Sequence, residues 1–103
     1  MSPFQFIHDA LAGFRRRRLA SRLLRIANRL YQKADFAEAA VAYQQAVDVE
    51  PDRAVLRYNL GLALYKGGKK REGRAEWERA RELAQGKNVY LVEQVEILLR
   101  QFG

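Results

Sequence analysis

Tyr58-Asn59-Leu60-Gly61-Leu62-Ala63-Leu64-Tyr65-Lys66-Gly67-Gly68, followed by Gly73, Trp77 and Ala80, is the stretch on which the reading of the fold turns. It predicts a helix, a short turn at Gly67-Gly68-Lys69-Lys70, and a second helix packed back against the first. Small residues on each helix, Gly61 and Gly73, let the two backbones approach, and the large Trp77 fills the space beside them.

Working outward, the same pattern occurs 34 residues earlier. Ala27 then superposes on Gly61, Leu30 on Leu64, Tyr31 on Tyr65, Ala34 on Gly68, Ala39 on Gly73, Tyr43 on Trp77, Ala46 on Ala80 and Val49 on Leu83. Lys33-Ala34-Asp35-Phe36 supplies the first unit's turn. Asp35 with Glu38 is expected to form a capping box at the start of its second helix. Pro51-Asp52 separates the units, with Asp52 expected to cap the helix that follows.

These residues resemble the tetratricopeptide-repeat family, whose unit of about 34 residues is a helix-turn-helix. The resemblance covers residues 20 to 86, with Gly73 in place of the family's usual alanine, Lys70 of an aromatic and Gln85 of the closing proline. It implies an all-α fold of antiparallel helix-turn-helix repeats, a TPR-like superhelix, to which the flanking residue patterns are expected to add an N-terminal basic amphipathic helix and a C-terminal capping helix. The expected organisation is one domain over 1–103: an amphipathic helix at 3–18, repeats at 20–53 and 54–87, and a capping helix at 88–102. The resemblance further implies a groove lined by the first helix of each unit, with Leu24, Arg25, Asn28, Tyr31 and Gln32 from one and Tyr58, Asn59, Leu62, Tyr65 and Lys66 from the other. Some family members clamp a partner's C-terminal carboxylate between two asparagines and several basic residues. Asn28 and Asn59 match the asparagines, but Leu24 stands at a lysine place, and Val89 and Glu93 stand where further basic residues belong.

Composition supports an all-helical chain. Of 103 residues only two are proline, Pro3 and Pro51, and none is cysteine, so disulfides, thiolate metal sites and a catalytic thiol are excluded. No apolar run approaches the roughly 20 residues that span a bilayer, and the expected location is cytoplasmic, with a peripheral position at a membrane as the alternative. The net charge of +7 is local: residues 1–34 hold eight Lys/Arg and one acid, Asp9, while the remainder balances 11 basic residues with 11 acids.

Near the start, Ser2-Pro3 reads as a helix opening. Phe4, Ile7, Leu11 and Phe14 form an apolar stripe, with Phe6 as a further aromatic. Leu19, Leu23, Ile26 and Leu30 form a second stripe, and Arg18, Arg22, Arg25 and Arg29 recur on another face. With Arg15, Arg16 and Arg17 they make a basic patch. Four readings stay open for this segment: it folds back to cap the stack, it self-associates, it meets an anionic membrane surface, or it binds nucleic acid. The last ranks lowest because no stacking platform or reading motif accompanies the arginines. A twin-arginine export signal is rejected, since Arg22 and Arg25 interrupt the apolar stretch such a signal needs. At the other end Leu91, Val95, Leu98 and Phe102 fall at helical spacing, with Val92 and Leu99 beside them. The resulting wide apolar face makes Val92 and Leu99, together with Phe4, Ile7, Leu11 and Phe14, candidates for self-association into a homodimer.

No catalytic constellation emerges. His8 stands alone, no metal-ligand spacing is present, and Lys66-Gly67-Gly68-Lys69 lacks the strand and the Lys-Ser or Lys-Thr pair of a phosphate loop. The expectation is a non-enzymatic adaptor or scaffold, with no cofactor, that binds a segment of another protein, acidic or amphipathic in character. The alternative is a peripheral membrane assembly factor anchored by the basic helix.

Overall fold

The computed structural model describes residues 2–103, and those residues form five helices and no strand. They are α1 (Pro3–Gln32), α2 (Phe36–Val49), α3 (Ala54–Lys66), α4 (Lys70–Ala84) and α5 (Val89–Phe102). Each helix packs on the next in chain order, giving two helical hairpins, α1–α2 and α3–α4, closed by α5.

The two hairpin turns are the same turn built twice. In the first, the Lys33, Ala34 and Asp35 amides donate to the carbonyls of Arg29, Tyr31 and Leu30; in the second, those of Gly67, Gly68 and Lys69 donate to Ala63, Tyr65 and Leu64. Every partner is displaced by the repeat offset read from the sequence. The turn needs one residue in the left-handed region: Gly68 takes it with φ 97°, and Ala34 takes it with φ 63°, where a Cβ costs roughly 1–2 kcal/mol.

Two of the expected caps are not made. Asp35 precedes α2 without a side-chain cap bond, so the capping box with Glu38 does not form. The residue before α3 is Arg53, not Asp52. Arg53 instead reaches back to α1, its guanidinium donating to Ser21 Oγ at 3.2 Å and pairing with Glu50 at 3.5 Å, which ties the inter-repeat loop to the first helix. Ser2 and Asn88 do cap: their side-chain oxygens accept from the Gln5 and Leu91 amides at 3.1 and 3.0 Å.

The core has two parts. Ala20, Ala27, Ala39, Tyr43, Ala46 and Val47 pack with Leu56, Leu60 and Ala63 of α3. On the other side of α3, Tyr58, Leu62 and Tyr65 pack against Trp77, Ala80, Ala84, Leu91 and Val95. Val92 and Leu99, expected on an open face, are half-buried against this second cluster. Phe102 closes it, its ring 5.2 Å from Tyr65 and 6.4 Å from Trp77.

The N-terminal segment does not fold back. Residues 3–18 and the first helix of the first repeat are one unbroken helix of 30 residues, about 45 Å long at 1.5 Å per residue, set against a longest molecular dimension of 50 Å. Residues 2–11 are all exposed. They form an arm that leaves the body before the first packed residues of α1.

Candidate functional site

The face formed by α1, α3 and α5 brings three tyrosines together. Tyr58 has both Tyr31 and Tyr90 as neighbours: burial first, then the Tyr90 and Tyr31 hydroxyls, push its pKa up. Leu24 of α1 and Leu62 of α3 are each half-buried, the first against one core cluster and the second against the other. Asn59 is half-buried, while Arg25, Asn28 and Gln32 are exposed along α1. Tyr90 escaped the sequence reading because the Gln85-Gly86-Lys87-Asn88 linker shifts α5 out of the repeat register.

Two expected groove residues are placed otherwise. Tyr65 turns its ring into the second core, stacked on Trp77 with centroids 5.3 Å apart. Lys66 lays its ammonium 5.3 Å from the Tyr31 ring centroid and 5.8 Å from that of Phe36, so its charge closes one end of the face instead of standing free over it. Asn28 is also engaged: its Oδ1 accepts from the Tyr43 hydroxyl at 2.5 Å, which leaves its amide NH2 as the group free to donate to a partner.

The family model described as TPR repeat matches residues 27–68, from the buried part of α1 through α2 and α3. Residues 27–68 are tetratricopeptide-repeat sequence. A search of curated proteins gives no match. Tetratricopeptide units are generally non-catalytic interaction modules. Among the described residues no group of three or more His, Cys, Asp or Glu could hold a metal ion, and no helix is long and apolar enough to cross a membrane. His8 lies exposed on the arm. The two helical hairpins also leave a cleft away from the tyrosines, about 450 Å3 in volume, lined by Ala37, Ala40, Val41, Leu60 and Leu64. Val41 of this cleft is 61% exposed, and no periodicity in the sequence marks it out.

Tyr43 gives the repeat a pH dependence. Its hydroxyl is pushed up to about 12, by burial first and then by Tyr31. Because the folded value lies above the ordinary value of 10.0, the unfolded chain loses this proton first as pH rises. The stabilisation is fully present below pH 10.0 and is lost between there and about 12, a loss of order 2 kcal/mol. Urea melts across this range should show a falling midpoint, and Tyr43→Phe should flatten the fall.

Proposed function

We propose that the chain is a protein-interaction adaptor whose α1–α3–α5 face binds a short segment of a partner protein. The observation that carries this reading is the convergence of Tyr31, Tyr58 and Tyr90 from three helices, with Tyr90 70% exposed. Tyrosines offer contact area at small entropic cost, and interface hot spots are enriched in them. Arg25 and the Asn28 and Asn59 amides can pair with a carboxylate or a peptide carbonyl, which suits an acidic or amphipathic segment. The carboxylate clamp of some relatives is not proposed, since α5 brings Val89 and Glu93 rather than basic residues.

The test is affinity purification from the native cell, followed by titration of the recovered partner. Tyr58→Ala combined with Tyr90→Ala is expected to weaken binding about 30-fold, the loss of at least about 2 kcal/mol typical of a hot spot, with the helical circular dichroism retained. Unchanged affinity in that variant overturns the reading.

A further inference from the structure

The continuity of α1 joins two features that the sequence left separate. At roughly 100° per residue, Phe4, Ile7, Leu11 and Phe14 lie on one line along the helix, and Arg18, Arg22, Arg25 and Arg29 continue the same line. The junction is visible as the Arg18 guanidinium 5.8 Å from the centroid of the Phe14 ring. All eight residues are exposed, Phe4 to 88%. The packed face, marked by Ala20 and Ala27, is on the opposite side, so the body of the protein leaves this line clear along its whole length. Asp9, the sole acid of α1, turns toward the packed side of the helix, where Gln5 donates to it at 2.9 Å. Among the described residues no arginine of α1 is in an ion pair.

We propose that this outward face of α1 is a membrane-binding surface for anionic lipid bilayers: Phe4, Ile7, Leu11 and Phe14 enter the interface, and Arg18, Arg22, Arg25 and Arg29 lie along the headgroup phosphates. A second copy of the chain fits less of what is exposed. Two arms can pair only antiparallel, since a parallel pair would bring their arginines together. That pairing covers eight apolar side chains by about half, at up to about 100 Å2 apiece, in total below the roughly 1,200 Å2 of a stable interface. It also sets nothing opposite Arg22, Arg25 and Arg29. A flat anionic surface engages both halves of the line, the apolar half by burial of about 5–10 Å depth and the basic half by charge. At roughly 100° per residue, Tyr31 and Leu24 lie more than about a third of a turn from this line around α1, so a docked molecule keeps the tyrosine-bearing face accessible.

The experiment is co-sedimentation of the full chain with vesicles of phosphatidylcholine alone and of phosphatidylcholine mixed with phosphatidylglycerol, beside light-scattering mass measurement without lipid. Sedimentation is expected with the mixed vesicles only, and it should weaken as salt shortens the screening length from about 10 Å to about 3 Å. Each of Arg18, Arg22, Arg25 and Arg29 changed to glutamine should lower the partition coefficient about fivefold, the factor equivalent to about 1 kcal/mol per basic residue near the surface. Phe4→Ser with Ile7→Ser and Phe14→Ser should abolish sedimentation while leaving the thermal midpoint unchanged, because these side chains touch no core. In a Phe4→Trp variant the added fluorescence should shift to the blue and be quenched by brominated lipid. Equal sedimentation with both kinds of vesicle overturns the proposal. So does a lipid-free dimer that the serine variant dissolves without any vesicle binding, and so does retention of duplex DNA or single-stranded RNA with no vesicle binding. Arg25 is the one residue shared with the tyrosine face; the arms that change Arg18, Arg22, Arg29, Phe4, Ile7 and Phe14 do not touch it.

Discussion

Trp77→Ala is expected to lower the thermal midpoint by about 15–20 °C, or to leave no cooperative transition at all. Trp77 is 1% exposed, stacks on Tyr65 and meets Phe102, and contacts between α3, α4 and α5 run through its ring. Truncating a buried aromatic costs about 3–5 kcal/mol, and for a chain of this size each kcal/mol moves the midpoint by roughly 4–8 °C. The opened volume lies between three helices, none of which can collapse into it without losing its other contacts. Trp77→Phe should be far milder. The indole Nε1 is a buried donor without a partner, and removing such a donor recovers about 1–3 kcal/mol of desolvation cost against the packing lost. Thermal melts followed by circular dichroism distinguish the two variants.

Gly61→Ala is the second large effect, and it acts by adding atoms. A Cβ at Gly61 would stand 2.5 Å from Trp77 Nε1 and 2.8 Å from the Gly73 carbonyl oxygen. The carbonyl belongs to the backbone of α4, so the helices must part. Overpacking of this kind costs about 1–3 kcal/mol or more, which outweighs the gain of up to about 1 kcal/mol from replacing a helical glycine. A midpoint drop of about 8–10 °C is expected, and a larger one for Gly61→Val. Gly13→Ala is the control, because a Cβ there meets nothing within 4 Å; it should be neutral or stabilising. The first repeat supplies a rescue. It holds Ala27 against Tyr43 where the second holds Gly61 against Trp77, so Gly61→Ala combined with Trp77→Tyr should cost less than the two changes added together.

That pairing of sizes is why the fold was legible. Helix crossings accept few combinations of small and large residues, and those combinations appear in the sequence at a fixed offset whether or not the rest of the unit matches. The α5 pattern was legible for a related reason, since Leu91 and Val95 must both face the Trp77 cluster. Other features depend on choices that spacing does not record. Gly13 and the run Arg15 to Arg18 look like a boundary, yet residues on both sides favour helix and nothing in the body offers the Phe4–Phe14 stripe a surface, so the helix continues. Tyr65 has groove spacing, but its long side chain leans toward the ring of Trp77. Asp35 holds the cap position of α2 but makes no side-chain bond there, and Asp52 stands one residue before the cap position of α3. For the binding face, the residues on α1 and α3 were within reach of the repeat alignment, whereas Tyr90 depended on the length of a linker.

The position of α3 governs how the molecule unfolds. Leu56, Leu60 and Ala63 belong to one core cluster, and Tyr58, Leu62 and Tyr65 pack on the other. Losing α1–α2 strips one side of α3, and losing α3–α4 takes α3 away from the first cluster, so neither half is left with a closed core. In a repeat array stability is a sum of unit and nearest-neighbour terms, and with a single shared helix the neighbour term dominates. The body should melt in one transition at the same midpoint by every probe, and its mostly local contacts favour folding in microseconds to milliseconds. The arm of α1 stands outside that cooperative unit, so its amide hydrogens should exchange well before those of α3.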